Sequence, residues 1–287
     1  MERAVLLSNE LAGEAAVGLN AAMDIMTPRQ TDILALARTQ GRVVVDDLAA
    51  RFNVTPQTIR KDLNELCDRR LLQRVHGGAV AGSGVENLGY EARRLIAQDE
   101  KRAIGRRAAE LVPDSSSLFI NIGTTTEEVA RALQGRSGLV VITNNINVAN
   151  LLRPEPHIEV IVAGGVVRRS DGGIVGEAAI DFFNQFMADF AVIGASAIDE
   201  SGALLDFDYR EVRVSQAIMA NARHVILVAD RGKLERTAPV RIGHISQVHT
   251  FVTDVLPSDR LARICRESGV RVEELFPDRA AEPEPQD

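Results

Sequence analysis

Apolar positions recur every three or four residues in the N-terminal third of the chain. Two of the runs begin alike, with TPRQ at 27–30 and TPQT at 55–58. A threonine followed by proline is typical of a helix start, because the hydroxyl caps free N–H groups and proline fits the first turn. In the second run Ile59, Leu63 and Leu66 lie on one face of a helix. These patterns predict two helices, with a shorter one between them.

The second of these capped helices carries polar side chains on the face opposite its apolar stripe. At about 100° per residue, Gln57, Lys61 and Asn64 share that face and Arg60 lies on its flank. Such side chains reach base edges and phosphates. A strand-like alternation and a Gly-Gly pair follow, so the segment is predicted to be a winged helix-turn-helix. The residues expected to contact DNA are Thr55, Gln57, Thr58, Arg60, Lys61, Asn64, Arg74 and His76.

Farther along the chain, continuous apolar runs alternate with helical stretches. The runs lie at 117–121, 139–143, 158–165, 190–196, 224–230 and 248–254. Buried strands alternating with helices indicate a parallel sheet covered on both faces. The predicted fold is α/β, with an N-terminal winged helix-turn-helix and a C-terminal, mostly parallel α/β domain. The predicted segments are a disordered extension (1–26), the DNA-binding domain (27–80), a linker (81–98), the α/β domain (99–276) and a disordered acidic tail (277–287).

Charge is distributed unevenly between these parts. The chain has a formal net charge of −7, whereas residues 28–80 contain nine Arg or Lys against six Asp or Glu. This asymmetry favours an anionic polymer as the partner of the N-terminal part alone. The apolar runs are too short to span a membrane, and Cys67 and Cys265 show no metal-binding or disulfide spacing, which predicts a cytoplasmic protein. No membrane partner, cofactor, metal site or nucleotide-binding motif is predicted.

Polar residues follow the ends of several predicted strands. In parallel sheets, ligands bind beyond the carboxyl ends of the strands. The turn at Gly123 brings threonines and a helix start together, and such turns bind anions. We therefore predict a pocket with a phosphate end, formed by Gly123–Thr126 and the cations Arg168 and Lys233, and a polyol end formed by its carboxylates. Its expected residues are Gly123, Thr124, Thr125, Thr126, Asn144, Asn145, Gly164, Gly165, Arg168, Asp206, Asp208, Glu211 and Lys233.

Two groups of motifs resemble one known family. TPQTIRKDLNEL followed by LLQRVHGGA resembles the DNA-binding signature of the DeoR family of bacterial transcriptional regulators. FINIGTTTEEVA, VITNN, VAGGVVR, GGIVGEAAIDF and LLDFDYREVRVSQAI resemble its sensor domain, which is similar to sugar-phosphate isomerases. Asn121 stands where many members have Asp, and Gly232 precedes Lys233 where many have Ser.

The resemblance implies a repressor of a carbon-catabolic regulon that binds double-stranded operator DNA. A phosphorylated sugar or polyol would release it, and glycerol 3-phosphate is the favoured effector. The family further implies phosphate contacts from Gly123–Thr126, a Lys233 that faces the ligand, and a homodimer or homotetramer.

Two other functions remain open from the residues alone. The carboxylates Asp206, Asp208 and Glu211 are candidates for the base of a sugar-phosphate isomerase with an appended DNA-binding module. A basic scaffold that binds nucleic acid without sequence preference would also explain the charge asymmetry. A regulator is favoured because an enzyme leaves the N-terminal module unexplained, so no residue is assigned a catalytic role.

Overall fold

A computed structural model describes residues 26–40, 42–69, 71–75, 77–81, 90–234 and 236–276. The predicted extension, apart from Met26, and the predicted tail at 277–287 lie outside these residues. The chain divides into two compact units, Met1–Gly82 and Ser83–Asp287.

The first unit contains short helices and a small antiparallel sheet. In chain order its elements are α1 (Pro28–Gln40), β1 (Arg42–Val44), α2 (Val45–Arg51), α3 (Pro56–Asp68), β2 (Leu72–Val75) and β3 (Gly78–Ala81). Among the described residues, β3 lies between β1 and β2 and pairs antiparallel with both. Helices followed by a β2–β3 hairpin form the predicted winged helix-turn-helix, which is confirmed.

The two predicted helix caps are also present in the first unit. The Thr27 hydroxyl accepts a hydrogen bond from the Gln30 amide at 3.2 Å, and the Gln30 side chain accepts one from the Thr27 amide at 3.1 Å. At α3 the Thr55 hydroxyl accepts from the Thr58 amide at 3.3 Å. Both caps satisfy N–H groups that a helix start leaves without intrahelical partners, which fixes where α1 and α3 begin.

The second unit is built on a parallel sheet. Its main strands are β4 (Ser117–Ile120), β5 (Leu139–Thr143), β6 (Ile158–Val162), β9 (Ala188–Ile193), β12 (Ala222–Val228), β14 (Thr250–Thr253) and β15 (Arg271–Glu274). Within residues 90–234 and 236–276 these strands have the order β15-β14-β12-β9-β4-β5-β6, with each neighbouring pair parallel. The predicted parallel α/β domain is confirmed.

Helices cover both faces of this sheet, as the apolar runs of its strands require. The helices are α4 (Tyr90–Leu95), α5 (Gln98–Glu110), α6 (Thr124–Ala132), α7 (Ile146–Leu152), α8 (Glu177–Phe183), α9 (Tyr209–Ala220) and α10 (Asp259–Glu267). Apolar side chains of α5, α6 and α7 form one core cluster with the sheet, and those of α8, α9 and α10 form the other. The carboxyl ends of the strands therefore stay open at one edge.

Some elements differ from the sequence prediction. Helix α4 lies within residues 81–98, where no helix was predicted. The short strands β7 (Val166–Val167), β8 (Ile174–Val175), β10 (Ala197–Ile198), β11 (Ala203–Asp206) and β13 (Val240–His244) were not predicted. They pair antiparallel as β7–β8 and as β10–β11–β13. The main-sheet strand β15 was not predicted either, because its sequence RVEE is not an apolar run. Strands this short carry too little alternation to be recognised from the sequence.

Candidate functional site

The outer face of α3 presents the polar side chains that the periodicity predicts. Gln57, Arg60, Lys61 and Asn64 are exposed, while Ile59 on the opposite face is fully buried. The Lys61 ammonium lies 3.9 Å from a Glu65 carboxylate in an exposed pair, and such a pair contributes little to stability. The α3 face is therefore open to a ligand.

The remaining predicted DNA contacts have different positions. Thr55 is exposed at the start of α3, and its hydroxyl lies 2.9 Å from the half-buried Thr58 hydroxyl. The pair fixes the end of α3 that would enter a groove. The side chains of Arg74 and His76 lie outside the described residues, so their predicted contacts stay predictions.

A small pocket opens in the second unit at the carboxyl ends of β4, β9 and β12. It brings together predicted residues from distant parts of the sequence. Its lining consists of Arg93, Ile122, Gly123, Thr124, Thr125, Thr126, Gly194, Ala195, Ser196, Asp206, Glu211, Val228 and Lys233. Parallel strands place their carboxyl ends at one edge, so loops that are far apart in sequence meet there.

One wall of the pocket is the turn between β4 and α6. Gly123 has a φ of 153°, which side chains rarely adopt, and it precedes α6 without a side-chain cap on the helix. The Thr126 hydroxyl donates to the carbonyls of Asn121 and Gly123, both at 2.8 Å, and so holds the turn closed. The first N–H groups of α6 are left for a ligand, and such groups favour anions.

Lys233 faces this turn from the loop after β12. Its side chain is buried, and among the described residues no hydrogen bond or ion pair reaches its ammonium. Burial lowers the pKa of Lys233 to about 7, although the charge of Asp230 opposes the shift. The charges of Lys101 and Arg93 lower it further. A buried cation without a partner is costly, and an anion in the pocket would relieve that cost.

Arg93 is a lining residue that the sequence prediction missed. It lies on α4, and its Nη2 donates to Asp171 Oδ2 at 3.2 Å. Its backbone carbonyl accepts a hydrogen bond from the Lys101 ammonium. No local signal marks Arg93, because it lies in a segment without periodicity and meets Asp171 78 residues later.

The opposite wall of the pocket is acidic. The Ser196 hydroxyl donates to Asp206 Oδ2 at 2.8 Å, which fixes the carboxylate at the end of β11. Burial, followed by the charge of Asp206, raises the pKa of Glu211 to about 7, with the charge of Arg168 opposing. Glu211 is thus partly protonated near neutral pH, so this wall has both hydrogen-bond donors and acceptors suited to hydroxyl groups.

Arg168 differs most from its predicted role as a free cation at the phosphate end. Its guanidinium makes two bonds to Asp171, at 2.8 and 2.7 Å, and further bonds to Asp208 at 3.0 Å and Glu211 at 2.5 Å. Although burial opposes it, hydrogen bonds from Arg210 and Arg168 lower the pKa of Asp208 to about 2. Arg168 is therefore paired with three carboxylates, and neither Arg168 nor Asp208 lines the pocket.

Four other predicted ligands lie outside the lining. Asn144 donates to the Ile174 carbonyl at 3.0 Å, and Asn145 caps α7 by accepting from the Asn147 amide at 2.9 Å. Gly164 and Gly165 are exposed after β6. Asparagine and glycine are common where strands end and helices begin. Their presence there therefore does not distinguish a structural role from a ligand contact.

The described residues contain no cluster of three or more His, Cys, Asp or Glu side chains that could hold a metal ion. Over the same part of the chain, no helix is both long and apolar enough to cross a membrane.

Both units match known families. Residues 29–84 match the DeoR-like helix-turn-helix domain, and residues 96–255 match the DeoR C-terminal sensor domain. The glycerol-3-phosphate regulon repressor of Escherichia coli (strain K12) is 45% identical over 247 residues, which are 86% of this chain and 98% of the relative. The repressor of the same name from Haemophilus influenzae is 44% identical, over 80% of this chain and 89% of the relative. The transcriptional repressor CsqR of E. coli is 40% identical, over 85% of this chain and 94% of the relative.

Among solved structures, ribose 5-phosphate isomerase A from Methanocaldococcus jannaschii is 17% identical, with a TM-score of 0.37. The similarity covers 48% of this chain and 55% of the isomerase. A TM-score this low supports no statement about this chain.

Proposed function

Because the chain belongs to the DeoR family of transcriptional regulators, we propose that it represses a glycerol 3-phosphate regulon and leaves its operator when a phosphorylated polyol binds. The high identity to named repressors makes it a DNA-binding regulator and not an enzyme. Glycerol 3-phosphate is the favoured effector because two relatives carry it in their names.

The DNA-binding part of the proposal rests on α3. Its exposed Gln57, Arg60, Lys61 and Asn64 have the donors and acceptors that read base edges and contact phosphates. A helix-turn-helix reads a two-fold operator as a symmetric pair, so we propose that the chain acts as a homodimer or homotetramer.

The effector part of the proposal rests on one observation, the buried Lys233 ammonium that has no partner among the described residues and faces the Gly123 turn. A phosphate there would accept bonds from the ammonium and from the N–H groups of α6. The hydroxyl groups of a polyol would then meet Ser196, Asp206 and Glu211 on the acidic wall. A phosphorylated polyol carries both the anion and the hydroxyl groups that these two walls would bind.

Operator release tests the effector part directly. The purified protein would be titrated onto a labelled operator duplex at fixed salt, with glycerol 3-phosphate, fructose 1-phosphate, glycerol and inorganic phosphate added separately. We expect glycerol 3-phosphate to weaken operator binding by about 5–150-fold, the usual range of an allosteric coupling. Release by unphosphorylated glycerol alone, or by none of the compounds, would contradict the proposal.

Substitution of Arg60 tests the DNA-binding part. Arg60→Ala is expected to cost about 1–3 kcal/mol on the operator and much less on a random duplex, because a base contact carries the discrimination. Arg102→Ala is the matched control, because Arg102 is also exposed but belongs to the second unit, where it pairs with Asp99. Equal losses on the two duplexes would show that Arg60 contacts only the backbone.

A further inference from the structure

The short helix α4 is joined to the surroundings of the pocket near both of its ends. At its start, the Tyr90 hydroxyl donates to Glu127 Oε2 at 2.6 Å and accepts from Asn147 Nδ2 at 2.9 Å. Glu127 is buried in the first turn of α6, directly after the threonines of the pocket turn. Farther along α4, Arg93 reaches Asp171. The position of α4 is thus tied to the wall that would hold an anion and to the charged cluster behind it.

Arg93 still has unused hydrogen-bonding capacity beside the pocket. Its side chain is 13% exposed and lines the pocket, and among the described residues its buried Nε has no hydrogen-bond partner. An unpaired buried donor on a charged group is unfavourable. A phosphate oxygen in the pocket would satisfy this donor, and a guanidinium can bind phosphate with two parallel bonds.

The bond from Arg93 is one that Asp171 can give up. Asp171 also accepts two bonds from Arg168, at 2.8 and 2.7 Å, and one from the Gly173 amide at 3.3 Å. These three bonds remain if Arg93 leaves. Exchange of Arg93 from Asp171 to an anion therefore leaves no carboxylate unpaired, which makes two arrangements of Arg93 accessible.

Helix α4 also has a particular place in the chain. It is the first described element after β3, and only residues 82–89 lie between the two. Among the described elements of the second unit, α4 is therefore the one nearest in sequence to the DNA-binding unit.

Building on the proposed function, we infer that Arg93 binds the anionic group of the effector, and that its exchange from Asp171 to this group moves α4 and so signals occupancy to the DNA-binding unit. Arg93 then has two separable roles, in affinity and in coupling. Tyr90, which does not line the pocket, has only the second.

The test compares three variants of the full chain with wild type. Calorimetry with glycerol 3-phosphate gives effector affinity, and operator binding at fixed salt is measured without effector and at saturation. For Arg93→Ala we expect an affinity about tenfold weaker, as for a lost charge-assisted bond. We also expect operator affinity at saturation to stay within about twofold of the effector-free value, because the coupling is lost. Arg102→Ala, an exposed arginine on the next helix, should behave as wild type in both measurements.

Tyr90→Phe keeps the pocket lining and removes the hydroxyl that links α4 to α6. Its affinity for glycerol 3-phosphate should stay within about threefold of wild type, while release at saturation is reduced several-fold. This variant also answers the question if Arg93→Ala folds poorly, which circular dichroism would reveal.

Operator release by saturated Arg93→Ala equal to that of wild type would overturn the inference and leave the proposed function intact. Full release by Tyr90→Phe would equally overturn the coupling role of α4. If wild type itself neither binds glycerol 3-phosphate nor leaves the operator, the proposed function fails and the inference fails with it.

Discussion

Asp62 in the first unit and Lys233 in the second are both buried charged side chains, but their surroundings are opposite in kind. In the first unit Asp62 is 4% exposed and accepts bonds from Arg29 Nε at 2.6 Å and Gln30 Nε2 at 3.4 Å. In the second unit Lys233 is 9% exposed, and the described residues offer its ammonium no such partner. Burying a charge is unfavourable unless it is paired. The paired Asp62 therefore stabilises the first unit, whereas Lys233 destabilises the second unit, and the other interactions of that unit compensate for it.

This difference corresponds to the different ligands expected for the two units, DNA for the first and a small anion for the second. The DNA-binding unit uses its buried charge to join α1 to α3, and the side chains predicted to contact DNA are exposed to solvent. In the sensor unit the charges proposed to bind the effector are buried, where a low dielectric would strengthen their bonds to a ligand. A long polyanion needs an open surface, whereas a small anion is bound tightly only where water is excluded.

A side chain at position 123 should produce the largest difference between the two units, because it should strongly weaken effector binding and leave operator binding unchanged. Gly123→Val is expected to weaken glycerol 3-phosphate binding by roughly two orders of magnitude or more, because its φ disfavours a side chain and an added Cβ lies in the anion turn, 3.2 Å from Thr126 Oγ1. Operator affinity without effector should not change. Gly135→Val is the matched control, since Gly135 also has a positive φ but an added Cβ there lies within 4 Å of no atom of the described residues other than its chain neighbours. Normal induction of Gly123→Val would place the phosphate elsewhere.

Removing the charge of Lys233 should weaken effector binding and stabilise the fold. For Lys233→Met we expect glycerol 3-phosphate affinity to fall by about one to two orders of magnitude, as for the loss of a charge-assisted bond. The melting temperature of the effector-free protein should rise, because an unpaired buried charge is gone. Arg231→Met, at an exposed position of the same turn, should change neither property. A lower melting temperature would mean that Lys233 has a stabilising partner.

Removing the charge of Asp62 should have the opposite effect on stability. Asp62→Ala should destabilise the first unit by about 1–3 kcal/mol, because Arg29 and Gln30 lose an acceptor. Hydrogen exchange of the α3 amides in the full chain measures this loss, and amides of the second unit should be unaffected. Asp68→Ala, at the exposed end of the same helix, is the control. Unchanged protection of α3 would contradict a stabilising role for the Asp62 pair.

The smallest expected effect is the dependence of effector affinity on pH. Lys233 has a pKa lowered to about 7, so above pH 7 it is largely neutral in the empty pocket and must take up a proton to bind a phosphate. Glu211, with a pKa raised to about 7, becomes a repelling carboxylate over the same range. A phosphate monoester is already mostly dianionic there, since its second pKa is about 6. Affinity should therefore fall as pH rises from 7 to 8.5, by up to about tenfold.

Calorimetry in two buffers of different ionisation enthalpy measures the proton uptake. Lys233→Met should lose most of the pH dependence, and an affinity that rises with pH in wild type would contradict the assignment.

Much of the first unit was predictable because its signals are local. The caps of α1 and α3 lie within three residues of the groups they satisfy, and the buried stripe of Ile59, Leu63 and Leu66 follows one helical period. Six of the seven main strands described in the second unit were predictable for a similar reason, as short apolar runs, whereas β15, with the sequence RVEE, was not. Such patterns involve residues that are close in sequence, so they can be recognised without knowing the tertiary contacts.

The sequence by itself determined the winged helix-turn-helix, the parallel sheet and the Gly-Thr turn with Lys233 as candidate anion ligands. Tertiary structure alone decided that Arg168 is occupied by Asp171, Asp208 and Glu211, and that Arg93 enters the pocket in its place. Whether a charge is available to a ligand depends on the partners that surround it, and those partners come from segments far away in the chain. Residue type and spacing fix the chemistry that a side chain can offer, but packing decides which groups remain unpaired.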